Sequence, residues 1–493
     1  MMQWSADVKV LKKLAAPMAL AVALASPVSA QTAPADARKI QRSEAFRVIE
    51  AWLSANMAFR KIPGMSVGVV SGDDLIWSKG LGTIDARHRV PATPQTIYSI
   101  CSISKLFTSV SAMQLVEQDR LALDKPITAV LPWAAFKEVD PASGAVTLRG
   151  LLTHSAGVPR EAGFEYWAGP DFKFPTRQQI RDTFSNQTKL FGTFDHYQYS
   201  NLGLTLVGES VAAAADRSYE NYVQTNVLKP LGLNDTRTNM PMNLYGSRLA
   251  VGHGFIRRDG TRERLKPFDT RGVTPAAGLT STVEDLGRFA SWQFRVLRTG
   301  KAEVLKPGTL RDMHRVQYMD PDWQLTRGLG FGVYRRGTTT YVGHSGECPG
   351  YYTRFMMHLP TETAVITMMN AAEPSAPYVD GIFDILDRRK DYSFKGEPAA
   401  KLDLEPYAGL YSTQPWGAEQ LFLPWAGGLV NLSLPSNAPG SDLTFLKPKA
   451  PDLFRRIRRD GTEAEEVRFE RNASGKVTRV VWHANPSVRM GDL

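Results

Sequence analysis

The sequence predicts an α+β fold: an antiparallel sheet flanked by helices with an all-helical subdomain, followed by a small all-β domain. Three observations carry this. Strand-like runs stand at both ends of a long region, with helical periodicity between them. That arrangement fits a sheet whose first strands come from the N-terminal end and whose last strands come from the C-terminal end. A polar stretch, RKDYSFKGEPAAK (Arg389–Lys401), then separates this region from one of different texture, with short alternating strands and turns such as AGG, RDG and ASGK. Finally, 493 residues exceed what one ordinary core accommodates.

The elements follow in order. Lys9, Lys12 and Lys13 precede the apolar run Leu14–Ala25, and SPVSA ends at Ala30. A basic start, a short apolar middle and small residues read as a secretory signal peptide over 1–30, cleaved near Ala30. The apolar run is too short to span a bilayer and contains Pro17. Export is therefore expected, to the periplasm if the source is Gram-negative, with no transmembrane segment after cleavage. Ala33–Arg60 reads as an amphipathic helix on the spacing of Phe46, Ile49, Trp52 and Leu53. Met65–Asp85 gives two strands around a Gly-Asp-Asp turn, a hairpin signal. Ser102 to about Arg120 keeps a helical period, and from Ile127 to Gly278 helices alternate with Pro- and Gly-marked loops. Ser281 and Glu284 are spaced as a capping box. Thr338–Asn370, rich in Thr, Tyr, Val and Ile, reads as successive strands, and a last helix falls near Tyr378–Arg389. The expected division is 31–392 for the first domain, 393–401 for the linker and 402–493 for the all-β domain.

The formal charge is +10, and about +8 without residues 1–30. The simplest reading of that charge is a soluble surface. The densest basic run, RRIRRDG (Arg455–Gly461), lacks any nucleic-acid motif and reads as a hairpin rim. Cys101 and Cys348 are expected to be free. The eight histidines are scattered and nothing has zinc-ligand spacing, so neither metal nor cofactor is implied.

The chemistry begins at YSICSISKLFTSV (Tyr98–Val110), where Lys105 stands three residues after Ser102. That spacing sets hydroxyl and amine on one helical face. A serine is a weak nucleophile until a base takes its proton. Lysine serves only as the free amine, and moving its pKa from ~10.4 to ~7 costs about 4.6 kcal/mol. Burial and nearby positive potential supply such a shift. Tyr199 and Asn201, in FDHYQYSNLGLTLVGE, add a phenol able to relay a proton and an amide able to hold the lysine and a substrate carbonyl. A second match, Tyr219-Glu220-Asn221, falls in what reads as a continuous surface helix and is a decoy. His344-Ser345-Gly346 falls in a strand, whose edge can pair with substrate backbone, and His344 offers charge or a hydrogen bond.

Ser102-x-x-Lys105, Tyr199-x-Asn201 and His344-x-Gly346, in this order, resemble the serine β-lactamase and penicillin-binding-protein-like family, in its class C β-lactamase, DD-peptidase and esterase branch. FTSVSAMQLVEQDRLALDKPI, TLRGLLTHSAGVP, VLKPLGLNDT and AAGLTSTVEDLGRF match as well, so the resemblance spans roughly Ile62 to Leu386. It implies a β-lactamase/transpeptidase-like fold and a serine hydrolase in which Ser102 is acylated. Lys105 and Tyr199 would move its proton, and Asn201 would position substrate. The backbone N–H groups of Ser102 and Glu347 would form the oxyanion hole. The all-β region resembles the lipocalin-like domains appended to some members. Many relatives carry Lys where this chain has His344, which suits peptidase- or esterase-like branches better than β-lactam carboxylate recognition. The expected substrate is a small molecule or peptide: a peptide with D-amino acids, a β-lactam or an ester. A binding or sensing protein that is acylated without turnover would use the same residues. Two distractors remain. Ser66 sits in GMSVG, a nucleophile-elbow pattern, but its strand–turn–strand surroundings lack the helix that motif needs. His154, in THSAG, is expected at a structural turn beneath the site.

Overall fold

The run Met65–Val70 is apolar without strict alternation because it becomes the middle of a sheet, where Met65, Val67, Val69 and Val70 are all buried. In this computed structural model, residues 35–137, 143–394 and 402–491 are described. The expected leader, 1–30, and residues 395–401 of the expected linker lie outside the described residues.

Nine strands form the main sheet. They are β1 (Gly64–Ser71), β2 (Asp74–Asp85), β3 (Val90–Pro91), β4 (Tyr318–Met319), β5 (Thr326–Arg327), β6 (Gly332–Arg336), β7 (Thr339–Cys348), β8 (Tyr351–His358) and β9 (Thr363–Met369). Their spatial order is β3-β2-β1-β9-β8-β7-β6-β5-β4. The first strand therefore pairs antiparallel with the last, Val67 opposite Thr367, which closes the sheet across the whole helical region. Seven helices matter below: α1 (Ala35–Phe59), α2 (Ser104–Glu117), α3 (Leu148–Thr153), α4 (Asn201–Ala215), α5 (Thr274–Ala277), α6 (Val283–Thr299) and α7 (Ala376–Asp391). One sheet face packs against α1 and α7 through Trp52, Val67, Val365 and Ile382. The opposite face packs against α2 and α6 through Phe107, Val110, Phe289 and Phe355.

Three local expectations need correction. The helix expected from Ser102 opens instead as a 3-10 turn, Cys101–Ile103, and α2 starts at Ser104. The reason is that Cys101 holds a left-handed φ of 47°, directly after the short strand Tyr98–Ser99. The capping box at Ser281 and Glu284 is displaced by one residue. Thr282 caps α6 by accepting from Asp285 N–H, while Ser281 belongs to a short strand paired with Tyr98. The helix around Tyr219 is at the surface, with Asn221, Gln224 and Thr225 exposed, but it is neither regular nor exposed at Tyr219 itself. Helix Tyr219–Val223 runs into a π-helical turn, Gln224–Leu228, and Tyr219 is wholly buried with its hydroxyl on Thr108 Oγ1.

The C-terminal all-β region closes into an eight-stranded barrel. Its strands are β10 (Gly409–Ser412), β11 (Glu419–Trp425), β12 (Gly428–Leu434), β13 (Thr444–Ala450), β14 (Leu453–Ile457), β15 (Glu463–Arg471), β16 (Val477–Trp482) and β17 (Asn485–Gly491). Aromatic rings fill its axis: Tyr411, Phe422, Phe454 and Phe469 meet at centroid distances of 5.2 to 6.0 Å. Small barrels of this strand number are wide enough to be filled in this way. One outer wall packs on α1 and α7, where Leu421, Leu423 and Trp425 join the core of Trp52 and Tyr378. Trp52 Nε1 and Asn56 Nδ2 both donate to Ser436 O, at 2.9 and 2.7 Å. The barrel thus braces the sheet face opposite α2.

Candidate active site

Ser102 lies in the 3-10 turn that feeds α2, partly open to solvent, while Lys105 one turn later is wholly buried. Lys105 Nζ stands 3.0 Å from Ser102 Oγ. It donates to Asn201 Oδ1 and to Ala276 O, each at 2.8 Å. Burial drives the Lys105 pKa well below that of an ordinary lysine; Glu161 opposes the shift and Arg160 reinforces it. A neutral amine has two protons and one lone pair. Asn201 Oδ1 and Ala276 O are acceptors only, so they take both protons. In that neutral form the lone pair is left facing the Ser102 hydroxyl.

Tyr199 and Asn201 are delivered by the start of α4. Ser200 caps that helix, accepting Gly203 N–H at 2.7 Å, while its own N–H donates to His154 Nδ1 at 3.1 Å. The Tyr199 hydroxyl faces Ser102. Its ring stands 4.4 Å from the His154 ring, 4.8 Å from Lys105 Nζ and 5.0 Å from the Arg160 guanidinium. Burial raises the phenol's pKa despite the neighbouring Ser102 hydroxyl, so Tyr199 keeps its proton at neutral pH. His154 ends α3 in a left-handed conformation. Burial and the neighbouring Lys105 hold it neutral, and it acts as a wedge behind Tyr199.

β7 forms the far wall. β6 pairs with it only from Thr339 to Gly343, so His344–Cys348 has no strand on that edge. Gly346 packs so closely on the turn before Ser102 that a Cβ there would come within 2.1 Å of Ile100 O. Gly346→Ala is therefore expected to push β7 off the turn, lowering both Tm and the acylation rate. Unchanged melting and kinetics would count against that packing. His344 is buried, 6.3 Å ring to ring from Tyr199, and its Nδ1 faces Ser345 O. Burial and Lys105 lower its pKa to about 3. Of the two roles expected of it from the sequence, this favours a hydrogen bond over a charge. Glu347 follows on the same edge.

The expectation of two free cysteines is overturned: Cys101 and Cys348 form a disulfide, with Cα atoms 5.7 Å apart. Across 247 residues the pairing has no local signature. It becomes visible only when β7 is laid over the turn preceding Ser102. The bridge ties the residue before Ser102 to the residue after Glu347. The Cys101→Ser/Cys348→Ser double variant is expected to lose about 2–4 kcal/mol of stability, read as a lower Tm that reductant no longer changes.

Sequence reasoning missed two groups besides the disulfide. Ala276 contributes only a main-chain carbonyl, which no side-chain pattern reveals. Glu161 sits in a loop without a motif, yet accepts from Asn201 Nδ2 at 2.7 Å. The distractors fall away. Ser66 is a buried β1 residue whose Oγ lies 2.8 Å from Thr93 O and 2.9 Å from the Tyr98 hydroxyl, and Tyr219 lies behind α2 on Thr108.

An antiparallel sheet, a flanking helical region and a serine–lysine pair at the mouth of a buried helix define the class of β-lactamase- and penicillin-binding-type serine hydrolases. The Beta-lactamase family model matches residues 49–388, and the chain belongs to that family. It is 23% identical over 331 residues to Beta-lactamase-like protein 2 of Dictyostelium discoideum, spanning 66% of this chain and 59% of that protein. It is 22% identical over 331 residues to Penicillin-binding protein 4* of Bacillus subtilis (strain 168), spanning 62% and 68% respectively. The octameric penicillin-binding protein homologue from Pyrococcus abyssi superposes with a TM-score of 0.62 at 22% identity, covering 90% of this chain and 100% of that one. The D-amino acid amidase from Ochrobactrum anthropi SV3 gives 0.57 at 22% identity, covering 70% and 98%. At these identities the two structures speak for the fold alone.

Proposed function

We propose that this protein is an exported serine hydrolase that cleaves small amides or esters through a Ser102 acyl-enzyme. The observation that carries the reading is the set of acceptors around Lys105 Nζ, which leaves a lone pair for the Ser102 proton. Ser102 Oγ attacks the carbonyl carbon as its proton passes to Lys105. The oxyanion accepts from the N–H groups of Ser102 and Glu347, a contribution whose loss typically costs 10²–10³ in rate. Collapse breaks the bond to the leaving group, which takes a proton relayed from Lys105 through the Tyr199 hydroxyl. Water then repeats the cycle on the acyl-enzyme and frees the acid.

The substrate class follows from charge. Neutral His344 gives no cation, but Arg327 and Arg354 flank the Tyr334 ring at 5.7 and 5.5 Å. Arg354 stands opposite Ser345 in the β7–β8 register. Among the described residues neither guanidinium forms an ion pair with a carboxylate, and Arg354 Nε is buried without an acceptor. This favours acyl substrates that carry a carboxylate, such as D-amino-acid peptides, over neutral esters. The test is a panel of a D-amino-acyl peptide, its C-terminal amide, a chromogenic β-lactam and a neutral p-nitrophenyl ester. Preferred turnover of the free-carboxylate peptide supports the reading. Labelling without product release would instead identify an acylated sensor.

A further inference from the structure

The loop carrying Glu161 is locked to the start of α4. Arg160 O accepts the N–H groups of Asn201 and Leu202 at 2.8 and 3.2 Å, and Pro159 O accepts Ser200 Oγ at 2.6 Å. The carboxylate is therefore delivered to Asn201 by main-chain contacts rather than by a mobile side chain alone. Its own oxygens are fully engaged. Oε1 accepts from Asn201 Nδ2 at 2.7 Å and Trp167 Nε1 at 3.1 Å, Oε2 accepts from the Tyr166 hydroxyl, and Arg160 Nε stands 3.4 Å from Oε1.

We propose that Glu161 is a positioning residue for acylation, fixing the Asn201 amide so that Oδ1, and never the NH₂ group, faces Lys105. An amide can bind in two orientations related by a flip, and its neighbours decide which one holds. A carboxylate accepts and never donates, so only Nδ2 is stable against Glu161. Oδ1 is then directed at Lys105 Nζ, 2.8 Å away. If the amide flipped, two donors would oppose each other at Lys105, and the amine lone pair would be drawn from Ser102 towards the amide. The line of contacts runs Glu161, Asn201, Lys105, Ser102, and each member fixes the next. This inference rests on the acyl-enzyme reading, but assigns a role to a side chain that touches neither substrate nor nucleophile.

The charge of Glu161 has a separate consequence. The groups facing Lys105 and its cluster are Arg160 and Glu161 from the loop, Tyr199 before α4, His154 at the end of α3 and His344 on β7, with Arg327 acting on the two histidines. Glu161 is the group whose charge favours the protonated amine. Removing that charge makes Lys105 easier to deprotonate, so the acid limb of the rate profile moves to lower pH.

The experiment compares wild type, Glu161→Gln and Glu161→Ala in the full chain. Labelling of Ser102 by a fluorophosphonate probe is timed by intact mass from pH 5 to 10, alongside thermal melting. Gln retains an acceptor for Asn201 Nδ2 but no charge. It is expected to keep most of the plateau rate and to shift the acid limb down by about one unit. Ala frees the amide and is expected to lower the plateau about 10- to 100-fold. A purely structural residue would give two variants with reduced Tm and unmoved acid limbs, which would overturn the proposal while leaving the nucleophile assignment intact. Wild type that never labels at Ser102 at any pH would remove the acyl-enzyme reading itself and this inference with it.

Discussion

Ser102→Ala is expected to reduce hydrolysis of any substrate the wild type turns over by at least about 10⁴-fold, at unchanged fold. The magnitude follows from the division of labour in the site. Without the hydroxyl there is no acyl-enzyme, and the remaining oxyanion donors act only on attack by free water. Stability should hold, because Ser102 is partly open to solvent and Lys105 keeps its contacts with Asn201 Oδ1 and Ala276 O without it. Circular dichroism and melting before kinetics make the comparison clean. Residual turnover above one percent of wild type would assign the chemistry to another nucleophile.

The second large effect is expected at Lys105. Lys105→Met keeps much of the volume and removes the base, and should lower kcat/KM by about 10³-fold or more. It also leaves Asn201 Oδ1 and Ala276 O without their donor, so a loss of about 1–3 kcal/mol of stability is expected for each acceptor that finds no water. The pH profile of the wild type separates the two proton-moving groups. Lys105 must be neutral to act. Its pKa is depressed, chiefly by burial, so activity rises through an acid limb well below the range of a free lysine. Tyr199, its pKa raised by burial, stays protonated across that limb, as the proposed relay role requires. Lys105→Met should abolish the limb, while Tyr199→Phe should retain it at a lower plateau. A limb that survives Lys105→Met would transfer the base function to another group.

Much of the site was legible because the chemistry demands particular side chains at short spacing. Ser102 and Lys105 are one turn apart, and Tyr199 and Asn201 bracket the Ser200 cap of α4. The sheet was legible for a similar reason: β1 and β2 flank a two-residue turn, and Thr338–Asn370 carries three β-rich runs. The failures share one cause, that long-range contact leaves no local pattern. The disulfide joins residues that meet only through the register of β7. Tyr219 is read as part of a continuous surface helix, yet α2 offers Thr108 to its hydroxyl and the side chain is buried. The Cys101 conformation moves the start of α2 by two residues, and no residue type there announces a positive φ. Ala276 acts through its backbone, and Glu161 acquires meaning only once Asn201 stands beside it. The barrel's strands were legible, but the aromatic packing of its axis was not, since inward and outward positions depend on closure.

The central claim is that Ser102 is acylated with neutral Lys105 receiving its proton. The most direct measurement is acid-quenched intact mass during turnover of a slow ester, followed by peptide mapping at several pH values. The account predicts one acyl adduct, on Ser102, whose rate of formation follows the acid limb and vanishes in Lys105→Met. Product released with no adduct on Ser102, or an adduct formed at the same rate without Lys105, would contradict it.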